Sequence, residues 1–295
     1  MAVRIGINPI TWSNDDLPEL GGETPLETCL SEAKQAGYAG LELGNKFPRD
    51  SAVLGPIMAR HGLAVVSGWY SARLVERDAE AEIAAMQPHL KLLKDMGCRV
   101  MVFAETTGSV AGARSTPVSQ RPRLTDAQWP VFLARLEAVA TYLAAQGVAM
   151  AFHHHMGTVV ETADDVDRMM AGTASVGLLF DTGHFTFAGA DPLAVLERHI
   201  ARVNHVHCKD VRGAVLAERR AARTSFLDAV LAGVFTVPGD GDVAYGPLLA
   251  ALARRRYDGW LVVEAEQDPA KAHPLTYATM GHRNLSSLAR AAGLA

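Results

Sequence analysis

Three consecutive histidines, His153-His154-His155, close the apolar run VAMAFHHH (148–155). Three more segments share this layout, a short apolar stretch ending in potential metal ligands: VGLLFDTGH (176–184), RVNHVHCKD (202–210) and WLVVEAEQD (260–268). Six of the 11 histidines fall at these ends, so the histidines are concentrated rather than scattered. Imidazole and carboxylate donors together suit Mn, Fe, Co or Zn. Side chains alternate along a strand, so His153 pairs with His155, His205 with His207, and Glu264 with Glu266. One residue from each segment, His153, Asp181, His207 and Glu264, makes a four-donor set for a divalent ion. Thiolates are absent from the set, which argues against a structural thiolate zinc site.

Other residues at strand ends are candidates for substrate contact. His184 follows Asp181 by one turn and can fold back over the site. Lys209 and Asp210 read as a substrate-binding ammonium and its orienting carboxylate, or as a surface ion pair. Glu105 reads as a base, a ligand, or an ion-pair partner of Arg99 or Arg114. Trp12 and Trp69 end strand-like runs and can wall a cyclic substrate or simply pack. The Asn8 amide can bind a substrate hydroxyl, and His154 and Gln267 complete the candidate substrate contacts. Cys208, by alternation, faces the helices as an inert small side chain.

These residues need a scaffold that brings the ends of several strands together. Apolar runs of four to six residues bounded by polar ones read as buried parallel strands. Four more occur at VRIGINPI (3–10), AGLELG (39–44), LAVVSGWY (63–70) and CRVMVFAET (98–106). Helical segments are expected between them at 24–37 (capped by Thr24), 56–62, 79–97, 125–147, 162–172, 192–200 and 247–256. Helix-to-strand junctions carry Gly37, Gly62, Gly97, Gly147 and Gly259. This alternation predicts an α/β fold, a (β/α)8 TIM barrel, as one catalytic domain over 1–295, with its site at the C-terminal mouth. Long connections at 107–124 and 208–246 would wall that mouth. A doubly wound sheet lacks support, because no GxGxxG opens the first helix.

Bulk properties narrow the class. The chain has 295 residues, a hydrophobic content of 49% and a net charge of −4, so it can bury a large core but offers no basic patch for nucleic acid. No apolar run is long enough for a transmembrane helix, and the N-terminus lacks signal-peptide layout. The widely spaced Cys29, Cys98 and Cys208 fit reduced thiols in a cytoplasmic enzyme.

The segments GINPITWSNDD (6–16), FHHHMGT (152–158), DTGHF (181–185), NHVHCKDVR (204–212), FTVPGDG (235–241) and VVEAEQDPAKAHPL (262–275) together carry a resemblance. The chain resembles the xylose-isomerase-like barrels of sugar isomerases, epimerases and endonuclease-IV-type enzymes, and within them the myo-inosose-2 dehydratase family of inositol catabolism. The resemblance runs nearly end to end. It implies metal ligands on strands five to eight, with Asp181, His207 and Glu264 carried over directly. On strand five, where relatives have Glu, this chain has His153, with His155 and Glu105 as alternatives. His184 matches a histidine that touches substrate, and His155 falls where related dehydratases carry a histidine for proton transfer. The implied reaction is loss of water from 2-keto-myo-inositol, a cyclic polyol ketone, to a trihydroxycyclohexane-1,2-dione. Reprotonation elsewhere would give isomerisation or epimerisation instead. His155 is then the base, and His184, Lys209 or Glu266 the acid for the leaving hydroxyl. The implied cofactors are Mn or Co, and glutathione by resemblance only. Neither nucleic acid nor membrane is an expected partner, and a homo-oligomer is left open.

Overall fold

Runs that are apolar on both faces can be buried only in a sheet covered on both sides. In the computed structural model, which describes residues 3–294, all eight expected runs achieve this. They form β1 (Arg4–Ile7), β2 (Gly40–Leu43), β3 (Ala64–Ala72), β4 (Val100–Glu105), β5 (Ala149–His153), β6 (Gly177–Asp181), β7 (Val203–Cys208) and β10 (Trp260–Val263). The order β1-β10-β7-β6-β5-β4-β3-β2 closes into a barrel, and every pairing in it is parallel. Two short strands, β8 (Asp210–Val211) and β9 (Phe235–Thr236), form a separate antiparallel ribbon in the long connection after β7.

Alternation divides each strand between lumen and helix layer. Val100, Val102, Ala151 and Leu179 pack together inside the barrel. Their neighbours in sequence, such as Met101, Phe103, Met150, Phe152 and Leu178, join the large core between sheet and helices. The register carries the inner row up to the mouth: His153 pairs with Leu179, Asp181 with His207, and His207 with Val262. A bulge between β2 and β3 shifts the register from Leu41↔Val65 to Leu43↔Gly68. Both Val66 and Ser67 therefore face inward, and Trp69 arrives at the mouth.

Helix boundaries show where local chemistry differs from the sequence expectation. Helix Leu26–Ala36 has Pro25, not Thr24, at its cap position. Helix Ser51–His61 starts ahead of Pro56 because the Asp50 carboxylate caps Ala52 N at 2.9 Å. Gly37, Gly62, Gly97 and Gly147 have the positive φ expected of helix ends, but at the last such junction Arg256 (φ 58°) takes that conformation instead of Gly259. Helices Thr182–Ala188, Gly213–Ala221, Phe226–Leu231 and Pro274–Ala291 were not expected, and the last of these completes the eighth unit. No helix among the described residues is long and apolar enough to cross a membrane.

The loops at the mouth are tied from beneath. The buried Arg121 holds 107–124 through Asp165 (2.6 Å) and the Thr158 carbonyl (3.1 Å). Asp210 does not orient Lys209 and forms no surface ion pair. Its carboxylate accepts from the backbone N–H groups of Val211, Gly239, Gly241 and Val243 at 2.8–3.1 Å. Because hydrogen bonds to a buried carboxylate are charge-assisted, Asp210→Ala should lower unfolding free energy by about 3 kcal/mol, read as a shift in urea midpoint. An unchanged midpoint would mean that these four bonds contribute nothing net.

Candidate metal centre

The inner rows of four adjacent strands end at one point. Ligand-type atoms of His153, Asp181, His207 and Glu264 all lie within 4.8 Å of one another, and all four residues are buried. His207 Nδ1 is 3.0 Å from Glu264 Oε2 and 3.6 Å from Asp181 Oδ2, and His153 Nε2 is 3.7 Å from Asp181 Oδ2. Asp181 is aimed by the helix that follows it. Its Oδ1 caps the first turn by accepting the His184 N–H at 2.8 Å, which turns Oδ2 toward the other three residues.

The donor set fits a divalent cation. His153 Nδ1 and Nε2, Asp181 Oδ2, His207 Nδ1 and Glu264 Oε2 are buried without a hydrogen bond, although buried polar atoms normally have a partner. Burial drives the His153 imidazole well below its ordinary range, with His184 and His207 adding to the effect, so it is a neutral donor. Burial also opposes protonation of His207, but Glu264 and Glu42 override it and hold that ring well above its usual range. Burial also lifts the Asp181 carboxyl against the pull of Lys209 and His207, while the same two cations override burial and hold Glu264 well below the carboxylate range. Two carboxylates and two imidazoles are the donors of catalytic rather than structural sites.

One residue at this centre was missed in the sequence. Glu42, on β2, is buried and reaches across the lumen. It accepts from Ser67 Oγ (2.6 Å), Asn8 Nδ2 (2.7 Å) and His205 Nε2 (2.8 Å), with His207 Nε2 at 3.1 Å. Burial alone would raise its carboxyl, but the His207 and His205 rings hold it below the carboxylate range. The Glu42 carboxylate keeps a proton on Nε2, so the nitrogen that would give up its proton to a cation is Nδ1, which faces Asp181 and Glu264, the carboxylate–histidine arrangement that orients a metal ligand. Its signal in AGLELG was a lone acid on the inner face of an otherwise apolar strand.

Above the cluster opens a cavity of about 400 Å³, whose lining includes Asn8, Trp69, His155, Glu264 and Glu266. The indole of Trp69 stands edge-on to His153 and His155, with ring centroids 5.6 and 5.5 Å away. His155 Nδ1 lies 3.0 Å from the Met156 carbonyl. A carbonyl only accepts, so Nδ1 carries a proton and Nε2 is the ring nitrogen left for other partners. Lys209 Nζ donates to His184 Nε2 and Glu266 Oε2, both at 2.8 Å. Of these three, only Glu266 reaches the cavity wall.

Four expected substrate contacts lie elsewhere. Trp12 is fully buried in the outer core, its Nε1–H on Glu32 at 2.6 Å, because the turn Pro9–Thr11 carries it away from the mouth. His154 is out of phase with its neighbours, donates from Nδ1 to the Glu161 carbonyl (2.9 Å) and stacks on Phe185. Glu105 is outward on β4, outside the cavity lining and the ligand-type clusters. It accepts from Leu74 N (2.6 Å) and Thr107 N (2.8 Å), while Arg114 pairs with Asp228. Gln267 lines a separate groove with Arg212 and Lys271. Cys208 lies in the outer core, as alternation requires.

Residues 30–285 match the model of the family described as xylose isomerase-like TIM barrel. The chain is 57% identical over 295 residues to the rhizopine catabolism protein MocC of Rhizobium meliloti, covering 99% of this chain and 90% of that one. It is 45% identical to the inosose dehydratase of Geobacillus thermodenitrificans, covering 94% of each. A crystal structure of the IOLI protein with a bound zinc atom superposes with a TM-score of 0.69 at 14% identity, covering 97% of this chain and 98% of that one. At that identity the likeness is one of fold.

The Glu42 arrangement yields a direct test. Glu42→Gln replaces one acceptor oxygen with an N–H donor facing the two imidazoles and Asn8. Loss of such an orienting carboxylate should weaken Mn binding about 10–100-fold, measured by competition with a chelator. Wild-type affinity in this variant would show that His207 needs no orientation from β2.

Proposed function

The chain belongs to the xylose isomerase-like TIM-barrel family, among the relatives of the inosose dehydratases, and from that premise we infer that it is a hydro-lyase acting on 2-keto-myo-inositol. The product is a trihydroxycyclohexane-1,2-dione, formed by loss of one water. The observation that carries this reading is the convergence, at one cavity, of a four-donor cation cluster, a free imidazole nitrogen and a buried carboxyl.

His153, Asp181, His207 and Glu264 would hold a divalent ion, which would supply Lewis acidity to a ketone oxygen in the cavity. Each residue of the chain then has a separable task. Nε2 of His155 takes the proton from the carbon beside the ketone, with its opposite nitrogen fixed by the Met156 carbonyl. Glu266 faces the same cavity and gives its proton to the departing β-hydroxyl, and burial favours its neutral form against the opposing pull of Lys209. His184, whose Nε2 accepts from Lys209, supports this pair from behind. Trp69 offers an apolar wall to the ring carbons, and Asn8 Nδ2, already turned to Glu42 at 2.7 Å, orients a hydroxyl. The resulting enol tautomerises to the dione without further help.

Mn or Co is the ion we assign, since two carboxylates and two imidazoles suit either. Glutathione enters only through the resemblance and is to be tested as an additive. The free, buried Cys29, Cys98 and Cys208 support placement in the cytoplasm.

Two results test the reading. Chelator-treated protein should lose activity and regain it with Mn or Co, and mass spectrometry should show a product lighter than substrate by one water. Full activity without metal would refute the centre, and a product of unchanged mass would identify an isomerase or epimerase. His155→Ala should keep its metal but lose about 10²–10⁴-fold in exchange of the substrate α-proton with deuterated solvent. Exchange at the wild-type rate would assign the base elsewhere.

A further inference from the structure

Next to the four-donor cluster stands a second group of ligand-type side chains. Donor atoms of His155, His184 and Glu266 also lie within 4.8 Å of one another, and all three residues are buried. Two adjoining clusters of this kind are what a two-metal site requires. Here Lys209 stands against the second. Its Nζ is 2.8 Å from His184 Nε2 and 2.8 Å from Glu266 Oε2, 3.0 Å from Glu264 Oε2 and 3.9 Å from Asp181 Oδ2. The Phe235 ring lies beneath it, 4.7 Å from Nζ to the centroid.

The whole side chain is inaccessible to water, at 0% exposure. Removing an ammonium from water costs several kcal/mol unless opposite charge surrounds it, so its position is specified by the carboxylates. The stem is fixed as well. A Cβ built on Gly183 would lie 2.5 Å from Lys209 Cγ, so the glycine of DTGH clears the path of this side chain. Lys209 N also donates to Thr182 Oγ1 at 3.0 Å. The ammonium does not reach the cavity wall, which makes it a poor proton donor to substrate and a good fixed charge.

We propose that the Lys209 ammonium is a built-in cation occupying the second ligand cluster, so that the centre takes one divalent ion rather than two. The inference rests on the metal centre argued above. With Lys209 in place, His184 Nε2 and Glu266 Oε2 are already engaged, and Glu266 is held beside the cavity. Lys209 is thus a positioning residue, one that sets nuclearity.

The test is a count of ions. Wild-type protein, Lys209→Ala, Lys209→Met and Lys209→Arg are dialysed against excess Mn, and bound metal is measured by mass spectrometry and electron paramagnetic resonance. The proposal expects one Mn per chain with an isolated-ion spectrum in wild type and in Lys209→Arg. It expects two Mn per chain with a spin-coupled spectrum in Lys209→Ala and Lys209→Met, and a return to one in Lys209→Ala/Glu266→Gln. The Met variant preserves most of the stem's packing, so the count can be read even where the Ala variant does not fold. Two ions in wild type, or one in both neutral variants, would overturn the proposal. No ion in wild type would instead overturn the metal centre on which it rests.

Discussion

Four carboxylates, those of Glu42, Asp181, Glu264 and Glu266, are buried together at the upper end of the barrel lumen. Each would be costly alone in a dry interior, and much of the surrounding structure exists to answer that charge. Glu42 is matched by two imidazoles, a hydroxyl and an amide. Glu266 is matched by Lys209. Asp181 spends one oxygen on a helix N-terminus, where a negative charge is favourable. What is left, one oxygen each of Asp181 and Glu264 with two imidazoles, is the part of the charge that a divalent ion completes.

The barrel meets this constraint by geometry rather than by local propensity. Below the charged layer the lumen is packed by Val66, Val100, Val102, Ala151, Leu179 and Val262 with the ring of Trp260. The bulge in β3 brings Ser67 under Glu42 and Trp69 over His153 within one strand. The loops above are fixed by buried charges of their own, Arg121 on one side and Asp210 on the other. The cavity is thus rigid at its floor and shaped at its rim, as proton transfer between fixed groups requires.

Much of this was legible in the sequence, because a two-residue period and strand-end polarity are local signals. The eight strands and the set His153, Asp181, His207 and Glu264 emerged from them. The same period, applied throughout, also separates His154 from His153 and His155, and Glu105 from the inward row of Val100 and Val102. Other features depend on distant partners. Trp12 follows a tight turn whose direction is set by the Asn8 side chain on Ile10 N. Helix Pro274–Ala291 contains Gly281, which reads as a breaker but lets the helix approach closely, since a Cβ there would meet Val237 at 2.9 Å. Glu42 gave a visible signal, an acid in an apolar strand, whose meaning came only from residues 25 to 165 positions away.

The central claim is that one divalent ion is held by His153, Asp181, His207 and Glu264. Anomalous diffraction from crystals grown with Mn tests it most directly. The account predicts a single peak at about 2.0–2.3 Å from a donor atom of each of the four residues. A peak centred instead among Glu42, His205 and His207, or one that leaves Glu264 outside the coordination sphere, would contradict it.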